Sequence, residues 1–258
     1  PQALGKPMIN LLPINQDEKI HTIMPMPEDE GTWADLQIIF ATKNGNIRRN
    51  QLSDFTNIRQ NGKIAMKLNE TDELVSVLPC NDKDNILLAT RLGKAIRFDV
   101  NDVRVFVGRG SSGVRGVRLK PKDIVVSMSL IPDTQEKYVL SVTENGFGKR
   151  TPVDDYRKTN RGGQGVANIE CSTRNGPVVA SYVASEKDQI MLVTNSGKLI
   201  RIRVNGGEGD TIRIAGRKTQ GVRLFDVDEG EKVVSVALLN ETDDEADDDE
   251  IKNTSDES

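Results

Sequence analysis

Four segments of this chain follow one plan, and a repeat of roughly fifty residues leaves few folds open. "IIFATKNGNIRR" from Ile38, "ILLATRLGKAIRF" from Ile86, "YVLSVTENGFGKR" from Tyr138 and "IMLVTNSGKLIRI" from Ile190 share an order. Each runs from an apolar strand through a Thr-x-x-Gly turn into basic or mixed residues. The turn glycines Gly45, Gly93, Gly146 and Gly197 stand 48, 53 and 51 residues apart. Asn-Gly or Ser-Gly between two strand-like runs predicts a hairpin. Leu92-Gly93 is a weaker signal in the same slot.

Each hairpin is followed by a glycine that leads a short alternating strand. These are "GKIAMKL" from Gly62, "GVRGVRL" from Gly113, "GVANIEC" from Gly165 and "GVRLFDV" from Gly221, with a truncated copy, "GKPMINL", from Gly5. A polar turn and a further strand come next: "DEKIHTIMPM", "DELVSVLPC", "DIVVSMSLI", "GPVVASYVA" and "EKVVSVALL". With 22 glycines and 4% aromatic residues, the chain reads as many short strands joined by tight turns. The expected class is all-β, built of radial or stacked modules, and a propeller-like disc suits a unit of this length best. A parallel β-helix has much shorter coils. A doubly wound α/β domain lacks its helical stripes, and "LSDFTNIR" and "VNDVRVF" are too short to supply them.

The net charge of -4 averages two unlike regions. Residues 241–258, "ETDDEADDDEIKNTSDES", hold ten acids and one lysine. Of 39 acids and 35 bases in all, residues 1–240 therefore keep 29 and 34, a net of +5. The tail has almost nothing to bury and is expected to be disordered. It acts either as a solubilising end or as a polyanion mimic that competes for a basic surface. Two cysteines, Cys80 and Cys171, do not make a disulfide framework, and the single histidine, His21, leaves no Cys/His zinc site. No apolar run reaches the roughly 20 residues of a membrane span, and "PQALGKPMINLL" is not a signal peptide. A soluble, reduced, intracellular protein is expected. The N-x-[ST] matches at Asn69, Asn240 and Asn253 are then compositional accidents.

No catalytic constellation can be assembled. "RKTNRGGQGV", Arg157–Val166, has the glycines of a phosphate cradle but not the Lys-Ser/Thr pair of a P-loop. "GRGSSGVRG" and "NGGEGD" fail likewise. Asp154 and Asp155 read as solvated turn residues. The bases are better organised, because they recur at equivalent places. After the hairpin turns come Arg48/Arg49, Lys94/Arg97, Lys149/Arg150 and Lys198/Arg201/Arg203. Around the second glycines come Arg59/Lys63, Arg109/Arg115/Arg118, Arg157/Lys158/Arg161 and Arg213/Arg217/Lys218/Arg223. In a radial repeat such positions form a curved basic track that neutralises phosphates without reading sequence. The competing reading is that they solvate exposed strand edges, in which case the chain is a protein-interaction scaffold. Scarce aromatics favour bent duplex over single strands.

Through "GKPMINLLPINQDEKI", "TENGFGKRT", "SGVRGVRL" and "GRKTQGVRLF", residues 5–240 resemble the C-terminal domain of the A subunit of bacterial DNA gyrase. The corresponding part of topoisomerase IV, with a more degenerate domain, is the close alternative. The resemblance implies a β-pinwheel of four-stranded blades, normally six, over residues 1–240. It implies that a basic perimeter wraps double-stranded DNA, and that the first blade is truncated here. The implied partner is the B subunit of gyrase, in an A2B2 heterotetramer of the bacterial cytoplasm associated with the chromosome. ATP, Mg2+ and the cleavage tyrosine belong to other domains, so Tyr138, Tyr156 and Tyr182 receive no catalytic role, and this domain is expected to need no metal or cofactor. The family's box is Gln, basic residues, two glycines, a basic residue and glycine. Arg161–Gly165 echoes it, with Gln164 in the second basic position and Lys158 where the glutamine would stand.

Overall fold

The computed structural model of the chain describes residues 26–56, 62–132, 137–207 and 211–240, together with positions 10, 12, 20 and 22–24. The copy led by Gly5, His21, Arg59 and the acidic tail fall outside the described residues.

The four Thr-x-x-Gly segments are hairpins. They pair β1 (Gln37–Thr42) with β2 (Asn46–Gln51) and β4 (Asn85–Thr90) with β5 (Lys94–Asp99). They also pair β8 (Tyr138–Thr143) with β9 (Phe147–Pro152) and β12 (Gln189–Thr194) with β13 (Leu199–Arg203). The motif explains its own turn. The glycine amide donates to the threonine carbonyl at 2.9, 3.1, 3.1 and 3.0 Å in Gly45, Gly93, Gly146 and Gly197. The hydroxyls of Thr42, Thr90 and Thr194 accept from the amides of Asn46, Lys94 and Lys198, each at 3.2 Å. Thr143 instead donates to the Phe147 carbonyl. All four threonines are buried, so the hydroxyl must be satisfied inside the turn. Valine would keep the shape and lose that bond.

The strands that follow the polar turns are β3 (Leu74–Cys80), β7 (Val125–Ile131), β11 (Val178–Ala184) and β15 (Val233–Leu239). The glycine-led segments supply only two residues each: β6 (Val114–Arg115), β10 (Val166–Ala167) and β14 (Val222–Arg223). They are shorter than the alternating pattern predicts, because the chain turns onto a hairpin at once. The amide three residues after the leading glycine donates to a turn glycine's carbonyl: Gly116 to Gly45, Asn168 to Gly93 and Leu224 to Gly146, each at 2.8 Å. "GKIAMKL" forms no strand, and among the described residues no earlier hairpin exists for it to join.

The sheet orders are β3-β1-β2-β6, β10-β5-β4-β7, β11-β8-β9-β14 and β13-β12-β15. β6 follows the second hairpin yet completes the sheet of the first. β10 and β14 serve the second and third in the same way. Four sheets, three of them with an outer strand borrowed from the next repeat, give the all-β topology of a four-bladed β-pinwheel. Between strands, the two segments too brief for helices hold 3-10 turns, Leu52–Phe55 and Val100–Asp102, and Val153–Asp155 forms another.

By packing, the chain divides into two compact units: Pro1–Leu88, Ile96–Asp133 and Lys158–Gly165, and Ala89–Ala95, Thr134–Arg157 and Val166–Ser258. The first has a core around Ile39, Ile47, Ile86, Leu88, Ile96, Phe98 and Val117, with a second cluster of Trp33, Phe40, Leu52 and Met66. The second centres on Leu140, Val142, Ile190, Leu192, Val204 and Val233. Each fully buried Ile or Leu there contributes roughly 1.5–3 kcal/mol.

Candidate nucleic-acid interface

The recurring bases divide into three groups once placed. Arg48, Arg49, Lys149 and Arg150, expected on a rim, are inside the protein. Arg48 donates to Asn50 Oδ1 (2.7 Å) and to the carbonyls of Gly108 and Ser111, and stacks on Phe106. Arg49 pairs with Asp82 at 3.1 Å. Lys149 bonds Thr151, and burial pulls its pKa down to about 8. Arg150 donates to the Ile212 carbonyl (2.7 Å), pairs with Glu186 (3.1 Å) and lies over the Tyr138 ring. These positions recur because their internal environment recurs. Their guanidinium and ammonium groups face protein acceptors, so a place for them on an exposed track is corrected.

A second group is half-buried. Lys63 donates to the Thr56 carbonyl (2.9 Å) and Arg109 to that of Ile64 (2.7 Å). Arg161 donates to the carbonyls of Asp102 (2.7 Å) and Arg115 (3.0 Å), and Arg217 to that of Ala167 (3.1 Å). Lys94 and Arg97 are also half-buried, in β5. Exposed side chains form the third group. Lys158 pairs with Asp99, Lys198 pairs with Asp228 and Glu231, and Arg201 donates to Gln189 Oε1 at 2.6 Å. Hydrogen bonds from Lys198 to Asp228 and Glu231 push its pKa up, which marks a neutralised cation. Arg115, Arg118, Arg157 and Lys218 are exposed and have no acidic partner among the described residues. They are the bases best placed for an outside anion.

Two exposed arginines escaped the repeat pattern. Arg104 lies 4.3 Å from the Phe106 ring centroid, and Arg174 lies 4.9 Å from that of Phe147. Neither occupies a recurring slot, so the repeat carries no signal for them. All eight recurring glycines, Gly45, Gly62, Gly93, Gly113, Gly146, Gly165, Gly197 and Gly221, have φ between 70° and 85°. At Gly113 the requirement is double, since a Cβ would also fall 2.3 Å from the Ile47 carbonyl oxygen.

Two of the tyrosines bond inside the protein. Tyr156 donates to Asn168 Oδ1 at 2.6 Å in a buried network closed by Ser141 and Ser181, and burial raises its pKa. Tyr182 donates to the Val236 carbonyl at 2.8 Å. Asp154 and Asp155 are exposed in a 3-10 turn. Both cysteines are free, and burial pushes the Cys80 thiol up to about 12. Among the described residues no group of three or more His, Cys, Asp or Glu is placed to hold a metal, and no helix is long and apolar enough to cross a membrane.

Against known proteins, the family described as "DNA gyrase C-terminal domain, beta-propeller" matches residues 37–81, 84–132, 137–176 and 188–240, one stretch per repeat. The chain belongs to this family. The DNA gyrase A subunit of Rickettsia bellii is 41% identical over 96% of the chain and 32% of its own length. Among solved structures, the C-terminal domain of DNA topoisomerase IV superposes with a TM-score of 0.84 at 26% identity, covering 98% of this chain and 76% of that one. The DNA gyrase A C-terminal domain gives a TM-score of 0.78 at 28% identity, covering 91% and 75%. The chain spans about a third of the length of the curated relatives it matches. In this gyrase C-terminal domain the four matched stretches coincide with the four hairpin-bearing repeats that carry the three groups of bases.

Proposed function

We propose that residues 1–240 bind and wrap duplex DNA as the C-terminal part of a gyrase A subunit, in support of ATP-dependent negative supercoiling. The reading is carried by one coincidence: a family match through all four repeats, with exposed bases at Arg115, Arg118, Arg157 and Lys218 that have no acidic partner among the described residues. Cleavage by a tyrosine, ATP hydrolysis with Mg2+ and pairing with the B subunit as A2B2 are assigned to the rest of the holoenzyme, in the bacterial cytoplasm. The acidic segment 241–258 competes with DNA for the basic surface.

Binding held by phosphate contacts weakens as added salt reduces the gain from counterion release. With these four bases engaged, a log–log plot of affinity against salt has a slope of about -3.5 or steeper. The test is a titration of long and short duplexes at several salt concentrations, with and without residues 241–258. Tighter binding without the tail is expected, and no change removes the competition. A flat salt dependence, or equal affinity for a duplex of about 10 base pairs, overturns wrapping. Absence of binding even without the tail leaves the interaction-scaffold reading in its place.

A further inference from the structure

The glycine-led turns are fastened to the preceding copy in one register. The amide five residues after a leading glycine donates to the carbonyl two residues before the next leading glycine. Lys67 bonds Ser111 (3.3 Å), Arg118 bonds Gly163 (2.8 Å) and Glu170 bonds Thr219 (3.0 Å). A second bond comes from the arginine four residues before that next glycine, and it reaches the carbonyl two residues after the first. Arg109 bonds Ile64, Arg161 bonds Arg115 and Arg217 bonds Ala167, at 2.7, 3.0 and 3.1 Å.

A cation kept for phosphate needs no such register, and its donors would face water. These three side chains are half-buried and spend an N–H on backbone. Arg161 uses the guanidinium fork to hold two carbonyls at once, adding that of Asp102. Lysine has no fork with which to do this. In the copy led by Gly113, the two fastened backbone groups belong to Arg115 and Arg118, both exposed and without an acidic partner among the described residues.

We propose that Arg109, Arg161 and Arg217 are clasps, positioning residues that lock each basic turn to the neighbouring copy. The phosphate contacts themselves fall to the exposed bases so aligned, Arg115, Arg118 and Lys218. The proposal rests on the DNA-binding reading for its function and on hydrogen-bond geometry for its structure.

The test uses the full chain and two readouts, amide hydrogen exchange without DNA and the salt slope of duplex binding. Arg161→Gln speeds exchange at the Arg118 amide at least about tenfold, the scale of one lost hydrogen bond to a charged group. It lowers DNA affinity at every salt concentration with the slope unchanged. Arg161→Lys, the milder variant, restores charge but not protection. Arg118→Gln does the reverse, cutting the slope by about 0.9 while the neighbouring amides exchange as before. If Arg161→Gln leaves exchange untouched and itself cuts the slope by about 0.9, Arg161 is a phosphate contact and the clasp is overturned. Should the unaltered chain not bind duplex, the DNA reading fails by itself. Exchange then decides the clasp alone, and an unchanged Arg118 amide overturns it.

Discussion

The second and fourth hairpins carry the same turn and meet different fates. Gly93 and Gly197 each donate to their threonine carbonyl, at 3.1 and 3.0 Å, with φ of 80° and 84°. Against Gly93 lies a segment of a later repeat, Ile169 and Cys171, and two residues on Ala95 is fully buried. Among the described residues nothing lies within 4 Å of a Cβ placed on Gly197, and Leu199 in the matching position is 63% exposed. The contrast extends to the arginines: Arg150 in β9, bridged to Ile214, is buried, whereas Arg201 in the three-stranded sheet is exposed. Local sequence therefore closes the hairpin, and burial of its outer side is conferred by a segment about 70 residues further on.

The largest effect should come from glycine. A Cβ at Gly93 would stand 2.1 Å from the Ile169 carbonyl oxygen and 3.0 Å from Cys171 Sγ, in addition to the left-handed strain. Gly93→Ala is expected to cost about 3 kcal/mol or more, and Gly197→Ala only the conformational part, about 1 kcal/mol. Equal losses in denaturant unfolding would break the comparison. Next is Arg150→Ala, at about 3 kcal/mol, because it strips a buried carbonyl and the Glu186 pair of their donor. Arg201→Ala should stay within about 0.5 kcal/mol, the range of an exposed substitution. A loss at Arg201 as large as at Arg150 would mean that burial does not separate the two.

Much of this fold was legible because its signals are local. Thr-x-x-Gly is a turn that satisfies itself, and the spacing of Gly45, Gly93, Gly146 and Gly197 fixes the period. The exchange of β6, β10 and β14 between sheets was not legible, since the glycine-led alternation announces a strand and not the sheet it joins. The placement of the bases was half legible for a definite reason. Recurrence reports that positions share an environment, and a shared interior recurs as faithfully as a shared surface. Arg49 and Arg150 recur because acids at Asp82 and Glu186 recur with them. Arg118 and Lys218 look the same in sequence and face outward.

Lys149 gives the most specific prediction. Its slot, six residues after the threonine, holds Ile96 and Ile200 in the second and fourth hairpins, so the site accepts an apolar chain. Burial penalises the ammonium and lowers its pKa to about 8, against about 10.4 in an unfolded chain. Between those values the unfolded chain binds a proton that the folded chain has released, so stability rises with pH from about 8 to about 10.4. Below about 8 the folded protein carries the full penalty of a buried charge. Lys149→Met removes that penalty and forfeits the bond to Thr151, whose hydroxyl keeps the Ala215 carbonyl at 2.7 Å. A gain of about 2 kcal/mol is expected at pH 7, shrinking toward zero or below near pH 10.4. Urea unfolding of both chains across that range checks it. A gain that does not depend on pH would place the effect in packing rather than charge, and a loss at pH 7 would show that the buried ammonium stabilises the sheet it sits in.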